Sequence, residues 1–342
     1  MLEKTQAVVR LASLLALAAL APSTSGCRSC GGSSGSAGAQ NSGGSTSADD
    51  DNSKNVRPLR EMTKHNLRSV WGSSATDVWV VGDSGTILHY DGKAWSLVRP
   101  ASPENLTAVR GLGPNEVWAA GDKGTVFHWD GKQWSIVASS DKIAFLTVWA
   151  SSPEDVWVGG MDGEGDSGYI YRYTGGKWSG QPIPGSTSVW DVYGTSATDV
   201  WMVGSSSNGT GVVLHGDGKK FDAVGFKGSG ARGVWSAHTN DVWVAPYEGA
   251  LEHWDGTTWT HQDHIASAGN LLRVSGSAPD DVWAVGLNGT FLRNRGGAWA
   301  QVSAGTNEVI WSVWARAVDD AWAVGNNGMI MRWNGSSWTK QG

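Results

Sequence analysis

Only two cysteines occur in the 342-residue sequence, and both, Cys27 and Cys30, lie near its start. The rest of the chain therefore has neither a disulfide nor a thiolate metal site to rely on. Charged residues make up 17% of the sequence, and the formal net charge is −6. Surfaces that bind nucleic acid or anionic lipid need clustered Lys and Arg, so this charge balance argues against both partners.

Long hydrophobic runs are also scarce. The run from Leu11 to Leu20 spans ten residues, which is about half of the ~20 residues that a membrane-spanning helix needs. It follows the basic residues Lys4 and Arg10 and precedes a small, polar stretch. This pattern is typical of an export signal, so residues 1–26 are predicted to be a signal peptide.

The end of that segment, Ser23-Thr24-Ser25-Gly26-Cys27, resembles a bacterial lipobox, with Thr24 where Leu is usual. The resemblance implies cleavage before Cys27, lipidation of its sulfur and anchoring in the cell envelope, at the outer membrane or cell surface. Ordinary secretion or a periplasmic location is the alternative, and Cys27 and Cys30 could then pair with each other. Residues 27–55 are rich in Gly and Ser, which predicts a flexible tether.

The abundant feature of the sequence is a repeat of about forty residues, marked by most of the 22 Trp. An Asp-Val-Trp-like motif begins at seven positions: Asp77, Glu116, Asp155, Asp199, Asp241, Asp281 and Asp320. Twenty Trp fall in four slots of the repeat, and the other two, Trp190 and Trp311, share a fifth. Self-similarity of this length is typical of propellers and repeat arrays.

Each repeat predicts four short strands. In the first repeat they are Leu67–Gly72, Val78–Gly82, Thr86–Tyr90 and Trp95–Val98, rich in Val, Ile and Trp and without a helical period. The turn Asp83-Ser84-Gly85 predicts a three-residue hairpin whose Gly takes a positive φ. Both faces of that hairpin are apolar, so each sheet must be covered on both sides, which radial stacking achieves.

We therefore predict an all-β fold, a seven-bladed β-propeller of four-stranded antiparallel blades over residues 56–342. The expected blades are 67–105, 106–144, 145–188, 189–230, 231–270, 271–309 and 310–342. The segment from Val56 to Asn66 precedes the first blade and is a candidate for an added strand that helps to close the ring.

The element from Tyr90 to Trp95 resembles the Asp-box turn of sialidase-type, BNR-like repeats. Similar elements start at Trp129, Trp254 and Trp333, whereas the turns Thr174-Gly175-Gly176, Gly216-Asp217-Gly218 and Arg295-Gly296-Gly297 depart from the pattern. The whole unit is also similar to repeats of bacterial extracytoplasmic propellers, including photosystem-assembly and sensor-domain propellers. This resemblance covers residues 67–342 and implies a fold more than a function.

The acidic residue of the Asp-Val-Trp slot recurs in every repeat, so a structural role is expected, with Asp77 and its equivalents accepting backbone N–H groups at a strand start. One further slot holds either His or Arg, as at His89 and Arg172. Arg cannot ligate a metal, so this slot is expected to donate to a carboxylate between strands, as in WD-repeat propellers.

A loop insertion in the third repeat carries alternating acidic residues, Asp162, Glu164 and Asp166. The alternation resembles calcium loops and makes Ca²⁺ the one candidate cofactor. No acidic residue follows at the position that would complete such a loop, so a solvated loop without a bound cofactor is favoured, and calcium is the alternative.

The positions that break the repeat carry the candidate ligand site. Trp190 and Trp311 share a slot with Arg68 and Arg232, and the next slot holds Asp191 and Arg273. Blades four and seven are nearly opposite in a seven-bladed ring, so the two indoles could face each other across the channel mouth. Aromatic faces beside polar donors suit sugars or an extended peptide. Alternatively, both Trp fill blade interfaces.

We therefore expect a non-catalytic binding or assembly scaffold at the cell envelope that recognises a protein partner through the propeller rim. A lectin-like, carbohydrate-binding propeller is the alternative. A glycan-active hydrolase or lyase is the third hypothesis, but its Arg cluster and Tyr/Glu pair are not evident in the sequence, nor is a nucleophile elbow or a P-loop.

Overall fold

The computed structural model of the protein describes residues 59–98, 102–248, 251–262 and 270–341. These ranges form seven four-stranded sheets, numbered below as blades 1 to 7, and a short helix, α1 (Leu59–Met62). The strands, four to a blade, are β1 (Leu67–Ser74), β2 (Asp77–Gly82), β3 (Thr86–Tyr90), β4 (Trp95–Val98); β5 (Leu106–Gly113), β6 (Glu116–Gly121), β7 (Val126–Trp129), β8 (Trp134–Ala138); β9 (Ile143–Ser152), β10 (Asp155–Asp162), β11 (Gly168–Thr174), β12 (Lys177–Pro182); β13 (Ser188–Ser196), β14 (Asp199–Ser205), β15 (Gly211–Gly216), β16 (Phe221–Ala223); β17 (Ala231–His238), β18 (Asp241–Pro246), β19 (Glu252–Trp254), β20 (Trp259–His261); β21 (Leu271–Ala278), β22 (Asp281–Gly286), β23 (Phe291–Arg295), β24 (Ala298–Gln301); β25 (Ile310–Ala317), β26 (Asp320–Gly325), β27 (Ile330–Trp333), β28 (Trp338–Lys340).

Every blade is a simple antiparallel meander in which consecutive strands are neighbours. The first strand of each blade contacts the first strands of both adjacent blades, from β1 against β5 round to β25 against β1. The first strands are therefore innermost and surround the axis of the ring. This architecture confirms the predicted seven-bladed β-propeller.

The hairpin between the second and third strands has the predicted positive φ at its Gly, 66° at Gly85. The residue before the Gly is also left-handed, with φ of 56° at Ser84 and 57° at Asn327. Asn288 and Asn327 are residues that favour this conformation, but Ser84 and Lys123 are not, so the sequence did not show that the four turns share it.

Aromatic side chains fill the interfaces between blades. The Trp of each second strand is buried. In most blades this Trp makes an edge-to-face contact with the first residue of the fourth strand in the next blade, which is aromatic. Trp79 and Trp134 have ring centroids 5.3 Å apart at 80°, and Trp157 meets Phe221 at 5.6 Å and 82°. Such edge-to-face pairs add to the stabilisation from burial alone.

The innermost strands pack by a second rule, in which a large side chain faces a Gly in the next blade. Trp71, Trp149, Trp235 and Trp314 lie against Gly111, Gly194, Gly276 and Gly72, respectively. The other three blades carry Arg110, Tyr193 and Ser275 in the same slot, and the residues that follow one blade later are Ala150, Ser236 and Ala315. Every Trp in this slot thus faces a Gly in the next blade.

Gly276→Ala is expected to lower the free energy of unfolding by about 1–3 kcal/mol, the usual cost of overpacking a filled core. The new Cβ would lie 2.5 Å from the ring of Trp235. Chemical denaturation of the variant measures the loss, with Gly113→Ala as the control because nothing lies within 4 Å of that position. In a Trp235→Ser background the same Ala should cost little, since Ser275 and Ala315 already form that pair. An equal cost in both backgrounds would contradict this packing rule.

The ring closes where blade 7 meets blade 1, without exchange of a strand among the described residues. The Val70 N–H donates to Ser312 Oγ at 3.4 Å, and the Gly328 N–H donates to the carbonyl of His65 at 2.8 Å. The candidate closing strand before the first blade was wrong for the part that is described, because residues 59–62 form α1. Leu59 is buried against side chains of both blades, so this segment contributes apolar packing instead of backbone hydrogen bonds between strands.

The repeated carboxylates have side-chain partners in all seven blades. In blade 1, Asp77 accepts hydrogen bonds from Ser73 and from His89 Nε2, and in blade 6 Arg293 Nε donates to Asp281 at 2.7 Å. The His/Arg slot therefore donates to the carboxylate as predicted, while the expected backbone N–H donors were wrong. The reason is the strand register, which places His89 opposite Trp79 and stacks the two rings 4.0 Å apart.

Among the described residues, no helix is long and apolar enough to cross a membrane. The predicted signal peptide, the lipidation site Cys27 and the tether at 27–55 lie outside the described residues.

Candidate functional site

The two faces of the ring carry different turns. The upper face carries the turns between second and third strands, such as Asp83–Gly85, and the connections between blades, which come together where Gly85 lies against Ser102. The lower face carries the other two turns of each blade, where Gly92 lies against Thr76. The candidate residues Trp190, Trp311, Arg68 and Arg232 all lie where the innermost strands begin, at the upper face.

Trp190 belongs to a cluster that joins blades 4 and 5. Its indole N–H donates to Ser205 Oγ at 3.1 Å. The guanidinium of Arg232 lies 3.5 Å from the centroid of the Trp190 ring and 4.8 Å from that of Tyr247. Two aromatic rings therefore contact one cation, an arrangement that restrains the guanidinium.

Trp311 occupies the equivalent position between blades 7 and 1. Its indole N–H donates to Asn326 Oδ1 at 2.7 Å, and Arg68 lies over its ring at 4.4 Å. Arg68 also forms a fork with Asp83, in which Nε and Nη2 bind the two carboxylate oxygens at 2.7 and 3.0 Å. Each candidate Trp is thus stacked with the Arg of the next blade.

Asp191 and Arg273 lie deeper and form a buried ion pair. Arg273 Nη1 is 2.5 Å from Asp191 Oδ1, and the two side chains are 9% and 3% exposed. Arg110, which the sequence reading did not single out, shares this environment. Burial lowers the pKa of Arg110, and repulsion from Arg273 lowers it further, while Asp191 acts in the opposite direction. The six candidate residues therefore divide between an upper rim and an inner ion pair.

The acidic loop of blade 3 is held by a hydrogen bond between one of its carboxylates and its own backbone. Asp162 Oδ1 accepts the N–H of Asp166 at 2.8 Å. Among the residues that the structure describes, this loop included, no group of three or more His, Cys, Asp or Glu side chains is placed to hold a metal ion. Calcium binding by Asp162, Glu164 and Asp166 stays a prediction, which calcium titration of the protein would check.

The lower face carries the Asp-Gly turns that resemble an Asp box. Asp91 Oδ1 accepts the backbone N–H groups of Lys93 and Ala94 at 2.9 and 2.8 Å, and Asp255 does the same with Thr257 and Thr258. Backbone N–H donors lower the pKa of the four carboxyls that form this turn, those of Asp91, Asp130, Asp217 and Asp255. Asn334 makes the same turn without a charge.

These turns predict acid sensitivity. A carboxyl whose pKa is lower in the folded state stabilises the fold above its unfolded pKa of about 3.9, and the stabilisation is lost as the pH falls through the folded value. We expect the denaturant concentration at the unfolding midpoint to be lower at about pH 3 than at about pH 5. Replacing the four Asp with Asn, as in the turn of Asn334, should reduce this difference while the fold is retained. An unchanged pH difference would contradict the assignment.

The repeat pattern singles out the rim residues but does not show how they combine. Trp190 and Trp311 share one slot, which suggested that they face each other across the ring. The contacts instead run from each Trp to the Arg in the same slot one blade later, from Trp190 to Arg232 and from Trp311 to Arg68. That offset of one repeat is readable in the sequence, as is the replacement of Asp83 by Tyr247 in blade 5.

These features define a seven-bladed β-propeller with Trp-rich blades. No protein-family model and no curated protein matches the chain. Among solved structures it is similar to YCF48 bound to a D1 peptide, with a TM-score of 0.63, 17% identity and coverage of 79% of this chain and 94% of that one.

YCF48 from Cyanidioschyzon merolae is similar with a TM-score of 0.62 and 17% identity, over 80% of this chain and 96% of that one. The WD40 β-propeller domain of Doa1 gives a TM-score of 0.60 and 12% identity, over 78% of this chain and 92% of that one. At these identities the likeness shows the fold alone.

Proposed function

We propose that this protein is a non-catalytic binding or assembly scaffold that recognises a protein partner through the upper rim of the propeller. The observation that carries the proposal is the cluster of Trp190, Arg232 and Tyr247, which presents aromatic rings and a cation at the mouth of the ring. Trp, Tyr and Arg are the side chains that most often dominate binding energy in protein interfaces.

The neighbouring structures support this choice over catalysis. One of them is a propeller bound to a peptide. The repeated carboxylates of this chain are all engaged by His or Arg within their own blade, as in the pairs Asp77–His89 and Asp155–Arg172. These pairs repeat round the ring, so no one of them stands out as a catalytic centre.

The same geometry weighs against a lectin-like role. A sugar stacks on an open aromatic face, but the indoles of Trp190 and Trp311 each have a guanidinium over one face. A glycan array decides the point with the full chain. Binding that Trp190→Ala and Trp311→Ala abolish would replace the protein-partner proposal with the lectin alternative.

A photo-crosslinking amino acid placed at exposed positions tests the proposal in the native envelope. Glu248 and Ser207 lie on the upper face, whereas Lys93 and Lys132 lie on the lower face and serve as matched controls. We expect a discrete crosslinked protein from the upper positions alone, with its yield reduced by Trp190→Ala. Crosslinks of equal yield from the lower face, or none from the upper face, would overturn the proposal.

We further propose that the chain is exported and anchored in the cell envelope by lipid on Cys27, from its lipobox-like sequence. Cys27→Ala should release the chain from the membrane fraction and remove the mass of the lipid. A variant that keeps both would rule out the anchor.

A further inference from the structure

Blades 1 and 5 contain the same stacked Arg but differ in the residues around it. Arg68 and Arg232 occupy the same slot, and each lies over the Trp of the preceding blade. The residue that follows the second strand is Asp83 in blade 1 and Tyr247 in blade 5. The two are equivalent because the Asp83 N–H donates to the carbonyl of Asn66 and the Tyr247 N–H donates to that of Gly230.

The exchange of Asp83 for Tyr247 leaves Arg232 without a carboxylate in the described part of the chain. Asp83 binds both Nε and Nη2 of Arg68, whereas Tyr247 stacks on the guanidinium of Arg232. Arg232 Nε is buried and has no hydrogen-bond partner in the described part of the chain. Burial lowers the pKa of Arg232 to about 10, so the side chain stays charged at neutral pH. A buried, charged donor without a partner is rare in a folded protein.

We infer that Arg232 is the anchor for a carboxylate of the bound protein, either an acidic side chain or a chain terminus. The inference rests on the proposed function and adds the chemistry of the partner group. The fork between Arg68 and Asp83 shows that an Arg held over a Trp in this slot can bind a carboxylate.

A carboxylate fits this site better than a polyanion. A guanidinium presents two parallel N–H groups that match the two oxygens of a carboxylate. Arg232 is one cation held between two aromatic rings, and the chain as a whole has a net charge of −6. A polyphosphate or nucleic acid would need several cations in one place.

The test follows the Nε–Hε NMR signal of Arg232 in the full chain, assigned through its loss in Arg232→Lys. The probes are N-acetyl-alanine for a terminal carboxylate, the α-amide of N-acetyl-glutamate for a side-chain carboxylate, the α-amide of N-acetyl-glutamine as the neutral control, and inorganic phosphate. We expect a saturable shift with one or both carboxylates and none with the neutral amide. The signal of Arg68 should not move, because Asp83 occupies its fork.

Two substitutions exchange the features of the blades. Tyr247→Asp should give Arg232 an internal partner and weaken probe binding at least about tenfold, the loss expected for one charged hydrogen bond. Tyr247→Phe keeps the stacked ring and should bind as the wild type does. Asp83→Tyr should create a second responsive site at Arg68. If that variant fails to fold, because Asp83 also binds Asn66, Tyr247→Asp alone decides the question.

A signal of Arg232 that no carboxylate shifts, a stronger response to phosphate, or binding that persists in Tyr247→Asp would overturn the inference. Its failure is distinct from that of the scaffold proposal. Probe binding without a crosslinked partner would leave the carboxylate site and remove the scaffold. A partner crosslinked from the upper face without probe binding would do the reverse.

Discussion

Replacing Asp191 with Ala is expected to lower the free energy of unfolding by about 3–5 kcal/mol, the cost of leaving a buried charge without its partner. Asp191 Oδ1 accepts a hydrogen bond from Thr147 Oγ1 at 2.9 Å and lies 2.5 Å from Arg273 Nη1. Asp191 Oδ2 accepts the Val234 N–H at 3.1 Å. These donors come from blades 3, 6 and 5, so one carboxylate of blade 4 connects four consecutive blades. Chemical denaturation followed by Trp fluorescence measures the loss.

The rest of the ring supplies the control. In blades 1 and 7 the position of Asp191 holds Ser. Ser69 Oγ accepts the Val109 N–H of the next blade at 3.1 Å, and Ser312 Oγ accepts the Val70 N–H. The double variant Asp191→Ser with Arg273→Ser removes both charges and restores that neutral contact. We expect it to recover most of the stability lost in Asp191→Ala. A double variant as unstable as the single one would show that the pair itself, and not the orphaned charge, carries the effect.

The fold was predictable because the same pattern of packing residues occurs in all seven repeats. An apolar second strand with a Trp, a Gly turn and a fourth-strand aromatic can be buried on both sides only between like neighbours. Most of what escaped prediction at the ring closure and the rim lies outside the repeat or between its copies. Leu59 precedes the first repeat, so no second copy indicated that it would pack at the closing interface as part of a helix.

The candidate site shows the same division. The slot that holds Trp190, Trp311, Arg68 and Arg232 was found from its irregularity, because a residue that breaks a repeat is not needed for the shared packing. Its partners depend on which blade lies beside which, and on the side of the strand from which each side chain leaves. The separation of Asp191 and Arg273 from the rim residues was therefore not evident, although the two slots are adjacent in sequence.

Trp322→Ala is expected to cost about 3–5 kcal/mol, the usual range for removing a large aromatic side chain from a core. Trp322 is fully buried at the interface of blades 7 and 1. Its ring meets Trp95 edge-on at 5.6 Å and 81°, and Arg332 lies over it at 4.7 Å. Chemical denaturation measures the cost, and Leu112→Ala, at a position 42% exposed, should stay within about 0.5 kcal/mol of the wild type.

Trp201→Ala separates burial from ring closure. Trp201 is as buried as Trp322, but the chain itself crosses its interface, between blades 4 and 5. The contact between blades 7 and 1 joins the two ends of the propeller without a covalent link. We therefore expect a similar equilibrium loss in both variants, with amide protection in β1 and β25 reduced selectively by Trp322→Ala, because a local opening there has no chain connection to hold it. Equal loss of protection throughout the ring in both variants would show that the propeller opens as one cooperative unit, with no weaker point at its closure.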